Sequence, residues 1–163
     1  MRNELAGGAP LLSEVELAAW RGFLRVHAAL ERELDAELTE LHDLPLSSYE
    51  VLLTVADATG ERMRMSEIAD SVLLSRSGVT RLVDRLERDG LVERIPCEDD
   101  ARGQYAVLTP RGREAFDAAR ATHLAGVRRR FLERFDDTEL RSMAGFWEQL
   151  VPGATRDQPS GPG

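Results

Sequence analysis

The stretch MSEIADSVLLSRSGVTRLVDRLERDGLVERIPCEDDARGQYAVL, residues 65–108, decides the fold. It opens with a short helix pattern that Ser66 can cap, and the chain turns at 73–74. A second helix pattern then runs over 75–89 and stops at Gly90, the residue type that favours the left-handed position after a helix. A short capped helix, a tight turn and a second helix form the layout of a helix-turn-helix.

The second helix has two chemically different faces. At 100° per residue, one face collects apolar side chains and predicts burial: Val79, Leu82, Val83 and Leu86. The opposite face collects hydroxyl and charged groups: Ser77, Thr80, Arg81, Asp84, Arg85 and Arg88. Hydroxyls and arginines are the side chains that read base edges and hold phosphates, so this face predicts a recognition helix. Most solvated helix faces look similar, and that plain alternative stays open for the helix taken alone.

Two short strand patterns follow at 91–95 and 104–108, separated by the polar loop 96–103. A β-hairpin directly after a recognition helix predicts a wing. Arg102, near the tip, is placed to enter a minor groove, where narrow A·T tracts concentrate negative potential. Asp100 could orient the Arg102 guanidinium through a charge-assisted hydrogen bond. The alternative is a solvated hairpin in which the two charges merely pair locally.

Four further helices are predicted around this centre, at 14–42, 48–58, 110–132 and 137–150. Capping-box patterns mark three of the starts: Ser13 with Glu16, Ser47 with Glu50, and Asp136 with Glu139. Thr109-Pro110 marks the fourth, with threonine as the cap and proline at the first helical position. The chain is therefore predicted to be mainly α, an α+β winged helix-turn-helix with long helices at both ends.

The terminal helices carry more apolar surface than one small domain needs. In the first helix the apolar positions step by three, four and seven from Leu17 to Leu41, and the last two helices repeat this excess. We therefore predict that 13–45 and 110–151 are dimerisation helices and that 46–109 is the DNA-binding lobe, and we expect disorder in 1–12 and 152–163. A monomeric bundle that packs both chain ends together is the alternative.

Composition limits the classes of function. The chain has 163 residues and a net charge of −8, but residues 62–113 hold ten arginines against nine acidic residues. This middle segment is the part that anionic DNA can approach without strong repulsion. No apolar run is long enough for a membrane span and the N-terminus lacks a signal-peptide pattern, so we expect a cytoplasmic protein without a membrane partner.

The motifs together resemble the MarR family (multiple antibiotic resistance regulators). The resemblance covers residues 13–150 and rests on LSSYEVL at 46–52, MSEIAD at 65–70, the helix and strand at 75–92, DDARG at 99–103 and LTPRG at 108–112. It implies a homodimer that binds a pseudo-palindromic operator and often represses transcription until a small effector or an oxidant releases it. It also implies groove-facing and wing contacts, which with Arg85 of the outer helix face make the predicted DNA-binding set: Ser75, Arg76, Ser77, Thr80, Arg81, Arg85, Asp100 and Arg102. The family's commoner arginine pair in the wing is Ala101-Arg102 here.

The sequence contains few residues in patterns typical of catalysis or of cofactor or metal binding, so no enzyme, cofactor or metal site is predicted. The sequence has no phosphate-binding glycine loop and no metal motif, and its three histidines are widely spaced. His42 keeps a metal-sensing alternative open, and Cys97 a redox-sensing one. The acidic neighbours of Cys97 disfavour its thiolate, however, so we expect a bystander. A dimeric helical interaction protein of the same fold without specific DNA binding is the remaining alternative.

The resemblance also implies an effector site between the dimerisation helices and the DNA-binding lobe. Trp20, Phe23 and His27 lie within two turns of the first helix, and Tyr49 lies at the start of the second. An aromatic wall with one titratable donor and one phenol suits a planar, weakly acidic ligand. Trp20 and His27 also lie on the predicted apolar seam, so plain core or dimer contacts are the alternative.

Overall fold

A computed structural model describes residues 11–71, 76–97 and 100–155. The helices are α1 (Glu14–His42), α2 (Leu46–Ala56), α3 (Met65–Ser71), α4 (Arg76–Arg88), α5 (Pro110–Arg130) and α6 (Asp137–Leu150). The strands are β1 (Arg62–Arg64), β2 (Val92–Cys97) and β3 (Asp100–Leu108). Ser75 and the turn at 73–74, together with most of the two predicted tails (1–10 and 156–163), lie outside the described residues.

Three of the five predicted caps are confirmed in detail, whereas the predicted cap at Ser66 is wrong because α3 begins one residue earlier, at Met65. At α1 the Glu16 amide donates to Ser13 Oγ at 3.3 Å, and the Ser13 amide donates to Glu16 Oε2 at 2.7 Å. The same reciprocal box joins Asp136 and Glu139 at α6. At α5 the hydroxyl of Thr109 accepts from the Gly112 amide at 2.9 Å. These caps are local in sequence, which is why the pattern predicts them.

The predicted capping box at Ser47 and Glu50 is wrong. Helix α2 begins earlier, at Leu46, with Pro45 in the cap position and no side-chain cap of its own. The Leu46 amide instead donates to Oδ1 of Asp35, on α1, at 2.8 Å. A carboxylate from another helix therefore supplies the acceptor that a capping serine would provide, and it ties α2 to α1.

The sheet is antiparallel, in the order β1-β3-β2. Strand β1 was not predicted from the sequence. The two hairpin strands are longer than the predicted 91–95 and 104–108. The pairing shifts register between Pro96 and Cys97, so that Cys97 lies opposite Asp100. Cys97 therefore belongs to a strand and is buried, not part of an open polar loop as predicted.

The core lies between α2, α3, α4, the sheet and the first half of α5. Its fully buried side chains include Tyr49, Leu52, Ile68, Val83 and Phe116. The terminal helices contribute little: α1 buries only Leu34 and Leu38, and α6 has no buried residue. Ion pairs from Glu37 of α1 to Arg129 and Arg130 of α5 hold these two helices together at 2.5 Å. The chain thus forms a compact lobe from which α1, the end of α5 and α6 extend.

Within the described residues, no helix is long and apolar enough to cross a membrane. After α6 the chain continues in turns, where the Gly153 amide donates to Glu148 Oε1 at 2.8 Å.

Candidate nucleic-acid interface

Helix α4 presents the two faces that the sequence predicts. Val79, Val83 and Leu86 are at most 1% exposed and anchor the helix in the core. The predicted contact residues on the opposite face are exposed: Ser77, Thr80, Arg81 and Arg85. Arg76 begins the helix, and the structure describes only its backbone. An exposed strip of hydroxyl and guanidinium groups thus runs along the part of α4 that the structure describes.

The C-terminal end of α4 is locked against α5. Gly90 adopts the left-handed conformation (φ 71°), and the Leu91 amide donates back to the Leu86 carbonyl at 2.8 Å, as a glycine-terminated helix requires. The chain then passes so close to α5 that a Cβ on Gly112 would lie 1.9 Å from the Leu91 carbonyl oxygen. Thr109 donates its hydroxyl to the Gly90 carbonyl at 2.7 Å. The recognition helix is therefore fixed in direction relative to α5.

Arg94 on β2 is a residue that the sequence analysis missed. Its guanidinium reaches α4, where it meets Asp84 Oδ1 at 2.6 Å and Glu87 Oε2 at 3.0 Å, and donates to the Thr80 carbonyl at 3.4 Å. Its side chain is only 17% exposed. Asp84, assigned by the helical wheel to the outer face, is thus engaged with the wing. The clamp fixes the wing to α4 and places one positive charge between two carboxylates beside the exposed strip.

The wing carries the other two predicted DNA contacts, Asp100 and Arg102. Asp100 is exposed at the start of β3, and its Oδ2 lies 3.8 Å from Nη1 of Arg64 on β1. Arg102 follows two residues later in β3, and the structure describes only its backbone. The predicted Asp100–Arg102 bond therefore stays a prediction, whereas the contact from Asp100 to Arg64 is an arrangement that the sequence did not suggest.

The predicted effector residues divide into two places. Trp20, Phe23 and His27 form an exposed ladder on α1, with successive ring centroids 6.0 and 6.2 Å apart, and Phe23 meets Trp147 of α6 at 5.7 Å. Tyr49 is instead 2% exposed, because its ring is enclosed by Phe116 at 5.7 Å and His123 at 4.7 Å. The structure does not bring Tyr49 to the aromatic ladder.

Burial shifts the pKa of both members of the Tyr49–His123 pair. It raises the pKa of Tyr49, an effect that the nearby Arg120 partly opposes, and it lowers the pKa of His123. The His123 Nδ1 atom is buried and has no hydrogen-bond partner among the described residues. His42, the residue behind the metal-sensing alternative, is hydrogen-bonded through Nε2 to Thr122 Oγ1 at 2.7 Å.

A separate groove of about 320 Å³ lies between α1 and α2. It is lined by none of the four predicted effector residues; its walls are Ala28, Glu31, Arg32, Asp35, Leu46, Ser47 and Glu50. Three carboxylates against one guanidinium do not suit the weakly acidic ligand expected from the sequence.

The fold has counterparts among known proteins. A model of the MarR family matches residues 42–103. The structure of AbsC, a MarR family transcriptional regulator from Streptomyces coelicolor, superposes with a TM-score of 0.83 at 32% identity, over 87% of this chain and 95% of AbsC. The chain belongs to the MarR family. It is a transcriptional regulator with a winged helix-turn-helix fold and not an enzyme.

A second MarR family structure includes the nucleic acid. Sco3205 from Streptomyces coelicolor, in complex with DNA, is 30% identical and superposes with a TM-score of 0.84, over 95% of this chain and 96% of Sco3205. A curated relative, the transcriptional activatory protein BadR from Rhodopseudomonas palustris, is 29% identical over 108 residues, which span 64% of this chain and 61% of BadR. DNA binding is therefore the activity that the MarR fold of this chain supports.

Proposed function

We propose that this MarR family chain acts as a homodimer that binds a pseudo-palindromic operator and represses transcription until a small effector releases it. The exposed hydroxyl and guanidinium strip of α4, beside a hairpin clamped to it by Arg94, is the observation that carries the proposal. The strip enters a major groove, and the hairpin reaches the adjacent minor groove. The residues assigned to the contact are Ser75, Arg76, Ser77, Thr80, Arg81, Arg85, Asp100 and Arg102.

Exposed apolar surface on the terminal helices supports the homodimer. Large hydrophobic side chains that a monomer would leave in water gather there: Val15, Trp20, Phe23, Leu24, Val26, Leu124, Phe135, Phe146, Trp147 and Leu150. Exposed apolar side chains in this number mark interaction surfaces, and a second copy offers the same surface. We assign dimerisation to 13–45 and 110–151, and DNA binding to 46–109.

One substitution in each region tests the assignment of dimerisation to the terminal helices and of DNA binding to the central lobe. Phe146→Glu places a charge in the apolar patch and should convert the dimer to a monomer in sedimentation equilibrium. Ser77→Glu places the same charge on the exposed strip and should abolish DNA binding while the protein remains a dimer. A monomeric wild type, or a dimer indifferent to Phe146→Glu, would contradict the assigned interface.

The operator can be found without knowledge of the regulated genes. We expect selection from a random duplex library to enrich an inverted repeat with half-sites about one helical turn, roughly 10 bp, apart. Arg81→Ala and Arg102→Ala should each weaken binding to that sequence by about 1–3 kcal/mol per contact. If the library yields no sequence bound more tightly than mixed-sequence DNA, a helical interaction protein without specific DNA binding becomes the better description.

Repression is the outcome that requires nothing beyond DNA binding. A dimer that covers two successive major grooves excludes polymerase from an overlapping promoter, whereas activation needs a further contact with polymerase. BadR is described as an activatory protein, so whether this chain represses or activates transcription must be measured. A reporter driven by the promoter next to the selected operator should fall when the protein is expressed, and a rise would reverse the assignment.

The effector is assigned to the neighbourhood of Trp20, Phe23 and His27, without Tyr49. A thermal-shift screen should include aromatic acids and, because the groove beside α1 is acidic, organic amines. Each hit is then titrated against the protein–operator complex, since only a ligand that binds the DNA-free conformation more tightly can release the operator. Hits whose affinity survives Trp20→Ala and His27→Ala would place the site elsewhere.

A further inference from the structure

A cleft opens between the recognition helix and the wing, on the side where β1 leads into α3. It has a volume of about 310 Å³ and is lined by Arg64, Met65, Ser66, Thr80, Asp100, Gly103 and Gln104. These residues come from four separate elements: the end of β1, the start of α3, the exposed strip of α4 and the first part of β3. The cleft therefore exists only because the wing is folded against the helix-turn-helix.

We infer that this cleft is a binding site for a DNA phosphodiester, with Arg64 as its cationic ligand. The inference rests on the proposed docking, in which α4 occupies a major groove and the wing the adjacent minor groove. One sugar–phosphate strand separates those two grooves, so it must cross between α4 and the wing, where the cleft lies. Among the lining residues whose side chains the structure describes, Arg64 carries the one cationic group.

The structure holds Arg64 in position for this contact. Its guanidinium lies over the ring of Tyr105 with the Cζ atom 5.4 Å from the centroid, and Nη1 is 3.8 Å from Oδ2 of Asp100 across the cleft. These two contacts hold the side chain at the cleft instead of letting it extend along β1. The Arg64 side chain remains 28% exposed, so a phosphate can reach it.

The remaining lining groups suit a phosphate. Ser66 offers a hydroxyl donor and Gln104 a carboxamide, the neutral groups that commonly accompany arginine at phosphate oxygens. Asp100 is the opposing charge, but its side chain is half exposed, so water screens its repulsion of a phosphate. Because a phosphodiester is common to all sequences, this site adds affinity and register but no base preference.

Arg62 provides a matched control on the same strand. It lies two residues before Arg64, also stacks on Tyr105 with its Cζ atom 5.1 Å from the centroid, and is exposed outside the cleft. Arg62→Gln and Arg64→Gln therefore remove the same charge from the same aromatic contact. Only Arg64→Gln removes it from the path of the DNA strand.

The test measures the full-length protein on a mixed-sequence duplex over a series of salt concentrations. For Arg64→Gln we expect roughly tenfold weaker binding near 0.1 M salt, and a plot of log K against log salt that is flatter by about 0.9 per subunit. Arg64→Lys should keep the wild-type slope, and Arg62→Gln should change the affinity less than about twofold. An unchanged slope for Arg64→Gln, or an equal loss for Arg62→Gln, would overturn the inference.

A second variant keeps the test conclusive if Arg64→Gln has a folding defect. Ser66→Glu adds a carboxylate at the mouth of the cleft, in the first turn of α3, where a negative charge suits the helix. It should weaken binding to the same duplex at least as much as Arg64→Gln, and wild-type affinity would again overturn the inference. If the wild type itself fails to bind duplex DNA, the proposed function is wrong. If the wild type and both variants bind with the same affinity, only the phosphodiester site is wrong.

Discussion

Arg94 of β2 and Asp84 of α4 form an ion pair at 2.6 Å that joins the wing to the recognition helix. Glu87 completes the clamp at 3.0 Å, and the arginine is largely buried beneath these contacts. A partly desolvated guanidinium with two carboxylate partners orients its neighbours more strongly than an exposed ion pair does. The relative position of α4 and the hairpin therefore rests in part on Arg94, a residue that is not among the predicted DNA contacts.

We predict that Arg94→Gln lowers both stability and DNA affinity. Loss of the charged hydrogen bonds should cost about 1–3 kcal/mol of unfolding free energy. DNA affinity should fall further, because the positive charge of Arg94 no longer partly offsets the carboxylates of Asp84 and Glu87 next to the phosphates. Urea denaturation and gel-shift titration measure the two effects. Arg88→Gln is the stability control, since the Arg88 side chain is exposed and donates to the Asp84 carbonyl of its own helix; equal losses of stability in the two variants would contradict the clamp.

A second prediction concerns the bond from Asp35 to the Leu46 amide, which caps α2 from α1. Asp35→Ala leaves that amide without its acceptor and should lower the unfolding free energy by about 1 kcal/mol, the usual value of an N-cap. Asp35→Asn keeps an oxygen acceptor and should recover most of the loss. Ser47→Ala, at the residue that the sequence marks as the cap, should change stability by much less. A larger loss for Ser47→Ala than for Asp35→Ala would show that the cap was assigned to the wrong residue.

These two sites show how far the sequence predicts the molecule. The caps at Ser13, Thr109 and Asp136 are predicted correctly because each acceptor lies within three residues of its donor. The cap of α2 is missed because its acceptor lies on another helix, eleven residues away. The two faces of α4 follow from helical periodicity, but the partner of Asp84 does not, because it lies on the strand that follows.

At the candidate interface, too, the residues that the sequence did not predict are those whose partners lie on other elements of the fold. Strand β1 has three residues, too few for an alternating pattern, so Arg64 gave no signal as part of the interface. Tyr49 was grouped with Trp20, Phe23 and His27 because it starts a helix next to theirs. Which face of α2 points into the core is decided by Phe116 and His123 of α5, more than sixty residues further along the chain.

A third prediction concerns Gly112, in the first turn of α5. Alanine favours a helix by up to about 1 kcal/mol over glycine, yet the added Cβ would lie 1.9 Å from a backbone oxygen that no side-chain rotation can move. Gly112→Ala should therefore cost about 3 kcal/mol or more, because α5 must shift away from the end of α4. Gly22→Ala on α1 meets no atom within 4 Å and should be neutral or stabilising. Thermal denaturation compares the stability of the two variants. Comparable melting temperatures would refute the close approach of Gly112 to the Leu91 carbonyl.

A fourth prediction follows from the burial of Cys97 in β2. A thiol reagent should modify the folded protein far more slowly than the urea-unfolded protein, because the sulfur must become exposed before it reacts. Micromolar peroxide should accordingly leave DNA binding unchanged in wild type and in Cys97→Ser alike. A loss of binding in the wild type that Cys97→Ser prevents would establish the redox-sensing alternative.

The last prediction is a pH dependence that comes from His123. Burial lowers the pKa of this histidine in the folded protein below its ordinary value of 6.5. The unfolded chain therefore takes up a proton at a higher pH than the folded chain does. Stability from this group is fully present above about pH 6.5 and decreases as the pH falls through that value towards the folded-state pKa.

Urea midpoints measured from about pH 7.5 down to about pH 5.5 avoid most carboxylate titration and should show this decrease in the wild type. His123→Phe keeps a ring beside Tyr49 and Phe116 but cannot be protonated, so its midpoint should vary less over the same range. Protein concentration is held constant, because a dimer's apparent stability depends on it. Parallel curves for His123→Phe and wild type would assign the pH dependence to another group.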